Sequence, residues 1–176
     1  MSKENEKTPG SDFYRIKTEY IKEGEKGELY KAKVEELVLA TSYTEAEKVA
    51  YGIVEDQNRT QYGSVNIEIV KTKIKNVIQN DVMVRDDNSV CETSCDYFEE
   101  SEDTGVGLYS VKALIITLDE RTGKEKKSSE TFFVPAISNS DATTRIKEYL
   151  NESIDDYVIR DTRFDKAEAI YWPKIK

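Results

Sequence analysis

The chain has 176 residues, enough for one ordinary domain or two small ones, and is acidic, with a formal charge of −9. It contains no histidine, which excludes Ser-His-Asp and Cys-His triads, histidine general bases and every zinc site that needs imidazole. Cys91 and Cys95 are too few for a disulfide framework, and no apolar run nears the roughly 20 residues of a membrane span, so a reducing, cytoplasmic setting is expected.

Hydrophobic content of 38% is low, yet eleven Tyr, five Phe and one Trp supply the large apolar surfaces that a disordered chain lacks. The charge is localised. Between Asp81 and Asp103 nine acids face one base, Arg85, so this segment holds almost all of the net charge and the rest of the chain is near neutral.

Residues 1–12 are polar, aperiodic and contain Pro9 and Gly10, as in a flexible leader. A strand is expected over 14–22, with Tyr14, Ile16, Thr18 and Tyr20 on one face. Gly24 and Gly27 bracket a turn, and the chain returns over 28–39 with Tyr30, Ala32, Val34 and Val38 on one side and Lys31, Lys33 and Glu35 on the other. Ser42-Tyr43-Thr44-Glu45 fits a capping box, and Ala46, Val49, Ala50 and Ile53 continue at helical spacing. A polar loop over 57–64 precedes a β-rich stretch, 65–78, read as a third strand.

The order then repeats. A strand over 109–118, a DERTG turn, a return strand over 124–134, a second cap at Ser138 to Asp141, a helix carrying Ala142, Ile146, Tyr149 and Leu150, and a closing strand over 157–164 follow in turn. Tyr14, Ile16, Lys17 and Ile21 match Tyr109, Val111, Lys112 and Ile116 at an offset of 95, and Ala40, Ser42 and Ala46 match Ala136, Ser138 and Ala142 at 96. Past the helix, Ile69, Thr72 and Ile74 are aligned with Ile159, Thr162 and Phe164 at 90. Preserved element order, caps and strand starts together indicate a tandem duplication. The expected fold is α+β: two ββαβ units, 13–79 and 108–176, each a mainly antiparallel sheet with one helix on a face, behind the leader and separated by an acidic connector, 80–107. Because 114–118 (LIITL) is apolar on both faces, residues 108–176 alone should be poorly soluble or dimeric.

The stretch VKALIITLDERTGKEKKSSETFFVPAISNSDA, with the later Trp172-Pro173 pair, resembles a family of small uncharacterised proteins of Bacteroidota and their phages, including crAss-like phages. The likeness is clearest over 109–173. It implies a biological setting but no activity, cofactor or catalytic residue.

Candidate sites are weighed against plainer roles. Lys71, Lys73 and Lys75 alternate as on one strand face, with tyrosines in neighbouring strands, a mixture used to bind single-stranded nucleic acid; edge lysines that discourage aggregation are the plainer reading. Asp86, Asp87, Asp96, Glu99, Glu100, Glu102 and Asp103 form an acidic interaction segment that could occupy a basic partner or a hard cation, or be a solvated connector. Cys91 and Cys95 lack the further ligands of a closed zinc site. No glycine-rich phosphate loop precedes a helix. No cofactor, metal or catalytic residue is assigned. The expected function is a non-enzymatic binding or assembly protein of phage or mobile-element origin, with a protein partner, no membrane association and a homodimer as one arrangement. Single-stranded nucleic-acid binding and a metal-dependent hydrolase or nuclease stand as alternatives.

Overall fold

The computed structural model describes residues 3–5, 10–79, 84–88, 93–97, 106–153 and 156–173. Eleven strands and two helices follow in order: β1 (Lys3–Asn5), β2 (Asp12–Glu23), β3 (Leu29–Ala40), α1 (Tyr43–Asp56), β4 (Asn66–Lys71), β5 (Ile74–Gln79), β6 (Val84–Asn88), β7 (Thr93–Tyr97), β8 (Gly107–Leu118), β9 (Glu125–Ala136), α2 (Asn139–Ser153), β10 (Tyr157–Asp165) and β11 (Ala167–Pro173). No helix among the described residues is long and apolar enough to cross a membrane. The fold is α+β, and the duplication is present.

The elements fall into two sheets, β4-β2-β3-β11-β7-β6 and β1-β5-β9-β8-β10. The hairpins are the expected ones. Gly27 and Gly123 take positive φ of 81° and 69° in the two turns, a conformation that costs residues with a Cβ, and the β2/β3 and β8/β9 ladders run unbroken over twelve pairs each. Both helices start on the anticipated caps. Ser42 Oγ accepts from the Glu45 amide at 3.1 Å and Ser138 Oγ from the Asp141 amide at 3.0 Å. The acids reach back one residue before the cap: Glu45 accepts from the Thr41 amide at 2.9 Å and Asp141 from the Ile137 amide at 3.0 Å. The Thr41 hydroxyl and amide hold the Glu45 carboxyl below its usual pKa.

Each helix lies on one face of its hairpin. In the first sheet Ala46, Ala50 and Ile53 of α1 meet Tyr14, Ile16, Val38, Ala40, Ala169 and Tyr171; in the second, Ala142, Ile146 and Leu150 of α2 meet Val111, Ala113, Ile115, Phe132, Val134, Ala136 and Ile78. Small residues at Ala40, Ala46 and Ala50, and again at Ala136 and Ala142, let helix and sheet approach closely.

Three boundaries differ from the sequence expectation. The stretch expected as one strand over 65–78 is two strands, because the Thr72 amide and hydroxyl both donate to the Phe13 carbonyl at 2.9 Å and end β4 there. β5 then pairs in parallel with β9, in the sheet of the second copy, while β11 pairs in parallel with β3, in the sheet of the first. The units expected as 13–79 and 108–176 are therefore interleaved: one gathers 73–83 with 98–166, the other 7–72 with 84–97 and 167–176. The leader expected over 1–12 contributes β1, paired antiparallel with β5, and the connector expected over 80–107 contributes β6 and β7, with β7 paired antiparallel to β11. The repeat is longer than ββαβ. It runs β1-β2-β3-α1-β4-β5 and again β7-β8-β9-α2-β10-β11, with β6 as the addition.

Register also corrects the alignment past the helix. Ile74 sits opposite Thr131 on β9, while Ala167 sits opposite Glu35, the residue equivalent to Thr131, so Ile74 matches Ala167 at an offset of 93 and not Phe164 at 90. The same ladders pair Ile69 with Ile16 and Thr162 with Val111, so Ile69 matches Thr162, also at 93, and the irregularity between Ile159 and Asp161 accounts for one residue of the difference.

Candidate functional site

The apolar register of β3 is broken once. Val34, Val38 and Ala40 face α1, and Glu36 stands between them on the same face, only 3% exposed. A carboxylate there needs a charged, hydrogen-bonded partner, since an isolated buried charge costs several kcal/mol or more. Arg59 supplies it. Its Nη1 and Nη2 donate to Glu36 Oε1 and Oε2 at 2.8 and 3.0 Å, a bidentate pair with Arg59 itself 7% exposed.

The end of α1 aims this arginine. Asn58 adopts a left-handed φ of 52°, its amide donates to the Glu55 carbonyl at 3.1 Å, and the Arg59 amide donates to the Val54 carbonyl at 3.0 Å. That is a Schellman closure with asparagine in the position glycine usually takes. The guanidinium then lies over the Tyr20 ring of β2, 5.5 Å from its centroid. From β11, the buried Tyr171 hydroxyl donates to Glu36 Oε2 at 3.3 Å. Burial alone lowers the Arg59 pKa, but the Glu36 hydrogen bonds and charge, with Tyr171 and Tyr20, raise it above the ordinary value, so the guanidinium keeps its charge.

Two further polar groups belong to this region. Glu168, exposed on β11, has its pKa raised first by partial desolvation and then by the Glu36 carboxylate, with Arg59 and Lys22 opposing. Thr18, on the α1 side of β2 and 1% exposed, has no hydrogen-bond partner for its hydroxyl among the described residues. β11 is anchored on its other face too: the Trp172 ring meets Phe13 edge-on at 5.6 Å, and Ile170 is fully buried.

The second sheet lacks the whole constellation. Position by position, Thr18 becomes Ala113, Tyr20 becomes Ile115, Glu36 becomes Phe132 and Tyr171 becomes Ile78. Phe132 packs edge-on against Tyr149 of α2 at 5.9 Å, and all four replacements are buried in one apolar core. The polar cluster is a property of one sheet only. Sequence reasoning missed it, although two signals were present: a charged residue at an inward position of β3, and an asparagine just past the helix.

The lysine row does not share a strand face. Lys71 ends β4 and pairs with Asp12 at 3.2 Å, Lys73 lies in the break after it, and Lys75 is on β5 in the other sheet. Of the acidic segment, Asp86 and Asp87 fall on β6 and Asp96 on β7, antiparallel neighbours in the first sheet; Glu99, Glu100, Glu102 and Asp103 lie outside the described residues. Cys95 is on β7, and Cys91 lies outside the described residues. Among the described residues, no group of three or more Cys, Asp or Glu is placed to hold a metal ion.

No curated protein and no solved structure matches the chain. A family model described as "Domain of unknown function (DUF4494)" matches residues 12–174, a span that takes in both copies from β2 onward, both exchanged strands and the polar cluster. The chain belongs to this family of unknown function, DUF4494.

Proposed function

We propose that this chain is a non-enzymatic binding or assembly protein that engages extended segments of protein partners at its sheet edges. The observation that carries the reading is the pair of equivalent end strands, β4 and β10. Each closes one end of its sheet, and neither has a further strand beside it among the described residues. An end strand offers a row of backbone donors and acceptors, and extended peptides add to such edges with main-chain bonds supplying affinity and side-chain contacts supplying selectivity. Val70 on β4 is 43% exposed and Val158 on β10 is 42% exposed, so each end strand presents an apolar side chain among charged ones such as Glu68, Lys71, Arg160 and Arg163. The resemblance to proteins of Bacteroidota and their phages supports a phage or mobile-element setting and a cytoplasmic place of action.

The test compares proteins captured from cells of the native host by the unmodified chain and by the Val70→Lys and Val158→Lys variants, with circular dichroism confirming the fold. A specific partner held by the unmodified chain and lost by one or both variants is expected. Identical capture by all three refutes the edge reading. Nucleic-acid binding through Lys71, Lys73 and Lys75 is the weaker alternative, since Lys71 and Lys75 are in different sheets and Lys73 lies in the break between their strands. Titration with single-stranded oligonucleotides at low ionic strength checks it, and binding that Lys71→Ala and Lys73→Ala abolish would restore it. A carboxylate-held metal for hydrolysis would have to use residues beyond those described, and calorimetry with Mg²⁺ or Mn²⁺ tests it directly.

A further inference from the structure

We propose that the Glu36, Arg59 and Tyr171 cluster is a pairing code: it makes each copy of the duplicated unit accept a strand from the other copy and refuse one from its own kind. The starting point is the length of two connections. Only Thr72 and Lys73 separate β4 from β5, and only Lys166 separates β10 from β11. β4 runs antiparallel to β2, and β2 antiparallel to β3, so β4 is parallel to β3. If β5 returned to the slot beside β3, it would be a parallel strand reached by a crossover past β2 and β3. Such crossovers take about a dozen residues, and two extended residues reach only about 7 Å. The same holds for Lys166. Neither copy can complete its own sheet, so each final strand must go to a different sheet.

That requirement leaves the identity of the receiving sheet open. The slot beside β3 and the slot beside β9 have equivalent registers, with Ala167 opposite Glu35 in one and Ile74 opposite Thr131 in the other. A first-copy strand could enter the first-copy sheet of another molecule, and a second-copy strand the second-copy sheet of another. Backbone hydrogen bonding does not distinguish these outcomes. The side chains do. β11 carries Tyr171, whose hydroxyl meets Glu36 Oε2 at 3.3 Å in its own slot; beside β9 the same hydroxyl would face Phe132, within a core of apolar side chains. β5 carries Ile78, which packs with Phe132 in its own slot; beside β3 it would be set against the buried Glu36 and Arg59 pair and leave the Tyr171 hydrogen bond unmade. The first mismatch buries a hydroxyl without a partner and the second costs the buried carboxylate one of its hydrogen bonds, so the contact is made selective by repulsion as well as attraction. Buried polar groups that fix register and partner are the best attested use of such clusters.

The partner so defined is the complementary copy of this unit, in the same chain. The test cuts the intact protein after folding, at a protease site inserted between Glu100 and Ser101, and follows the N-terminal and C-terminal pieces by native mass spectrometry. Under native conditions the pieces are expected to stay together as one N–C pair; pieces that separate overturn the proposal. After unfolding in urea and refolding, N–C pairs should exceed either like pair by at least about ten-fold. A random distribution, or no recovery of N–C pairs, overturns it. With Glu36→Phe, Arg59→Met and Tyr171→Ile combined, which gives the first slot the apolar character of the second, the N–C share should fall toward the random value of about one half. Tyr171→Phe, which removes only the hydroxyl and keeps the bulk, should produce a smaller fall. An N–C share unchanged by Tyr171→Phe and by the combined variant is incompatible with a pairing role.

Discussion

Replacing Arg59 by methionine gives the sharpest test of the buried pair. The substitution keeps an unbranched chain of similar reach and removes the guanidinium that makes two hydrogen bonds to Glu36, at 2.8 and 3.0 Å. Glu36 would remain 3% exposed by the present packing, with the Tyr171 hydroxyl at 3.3 Å as its remaining hydrogen bond in the cluster. Breaking one side of a buried ion pair costs about 3–5 kcal/mol, because the surviving charge is left uncompensated. With a urea dependence of about 2 kcal/mol per molar, the unfolding midpoint at pH 7 should fall by about 1.5–2.5 M. Glu36→Phe combined with Arg59→Met, which imitates the second sheet, should recover most of the loss because no charge stays buried. A midpoint for Arg59→Met within about 0.3 M of the native value, or no recovery in the double variant, would refute the reasoning.

Three further outcomes follow from the same geometry. Thr18→Val keeps the shape of a residue whose hydroxyl has no hydrogen-bond partner among the described residues, so stability should rise by about 1 kcal/mol in urea unfolding; a loss of that size would show that the hydroxyl is bonded in solution. Glu168→Gln removes a carboxylate whose folded pKa is raised by desolvation and by Glu36, so the native form is penalised at neutral pH and relieved below the unfolded value: the variant should be more stable at pH 7 and lose that advantage as the buffer is acidified, and an advantage independent of pH would count against this origin. Residues 108–176 expressed alone should be insoluble or self-associated, since they retain β11 without the sheet that receives it and lack the β5 that covers β9; a stable, soluble monomer in analytical ultracentrifugation would contradict this.

What was legible in the sequence were the features encoded locally. Two-residue alternation in 14–22 and 109–118, glycines able to take positive φ at Gly27 and Gly123, and serine caps at Ser42 and Ser138 each act within a few residues, and all are found where expected. The duplication was legible for the same reason. The exchange of β5 and β11 was not, because strand partners are chosen over long sequence separations: Ile78 in IKNVIQ and Tyr171 in AEAIYWP select a sheet only through Phe132 and Glu36, residues far away in the chain. The short breaks at Thr72-Lys73 and Lys166 are the available clue, because both are too short for a crossover. The polar cluster was hidden in another way. Glu36, Arg59 and Tyr171 are 23 and 135 residues apart along the chain, so only Glu36, as a gap in an apolar register, announced that something charged had to meet it. The lysine row shows the reverse error, a local period that the backbone interrupts after Lys71.

The account depends most on β11 lying beside β3. Cysteines placed at Glu35 and Ala167, Cα partners across these parallel strands, in a chain where Cys91 and Cys95 are serine, should form a disulfide under mild oxidation, detected as a linked peptide by mass spectrometry. The matching pair at Thr131 and Ala167, which would join only if β11 occupied the slot beside β9, should remain reduced. A disulfide between 131 and 167 within one chain, with none between 35 and 167, would contradict the strand exchange on which the interleaved fold and the pairing code both rest.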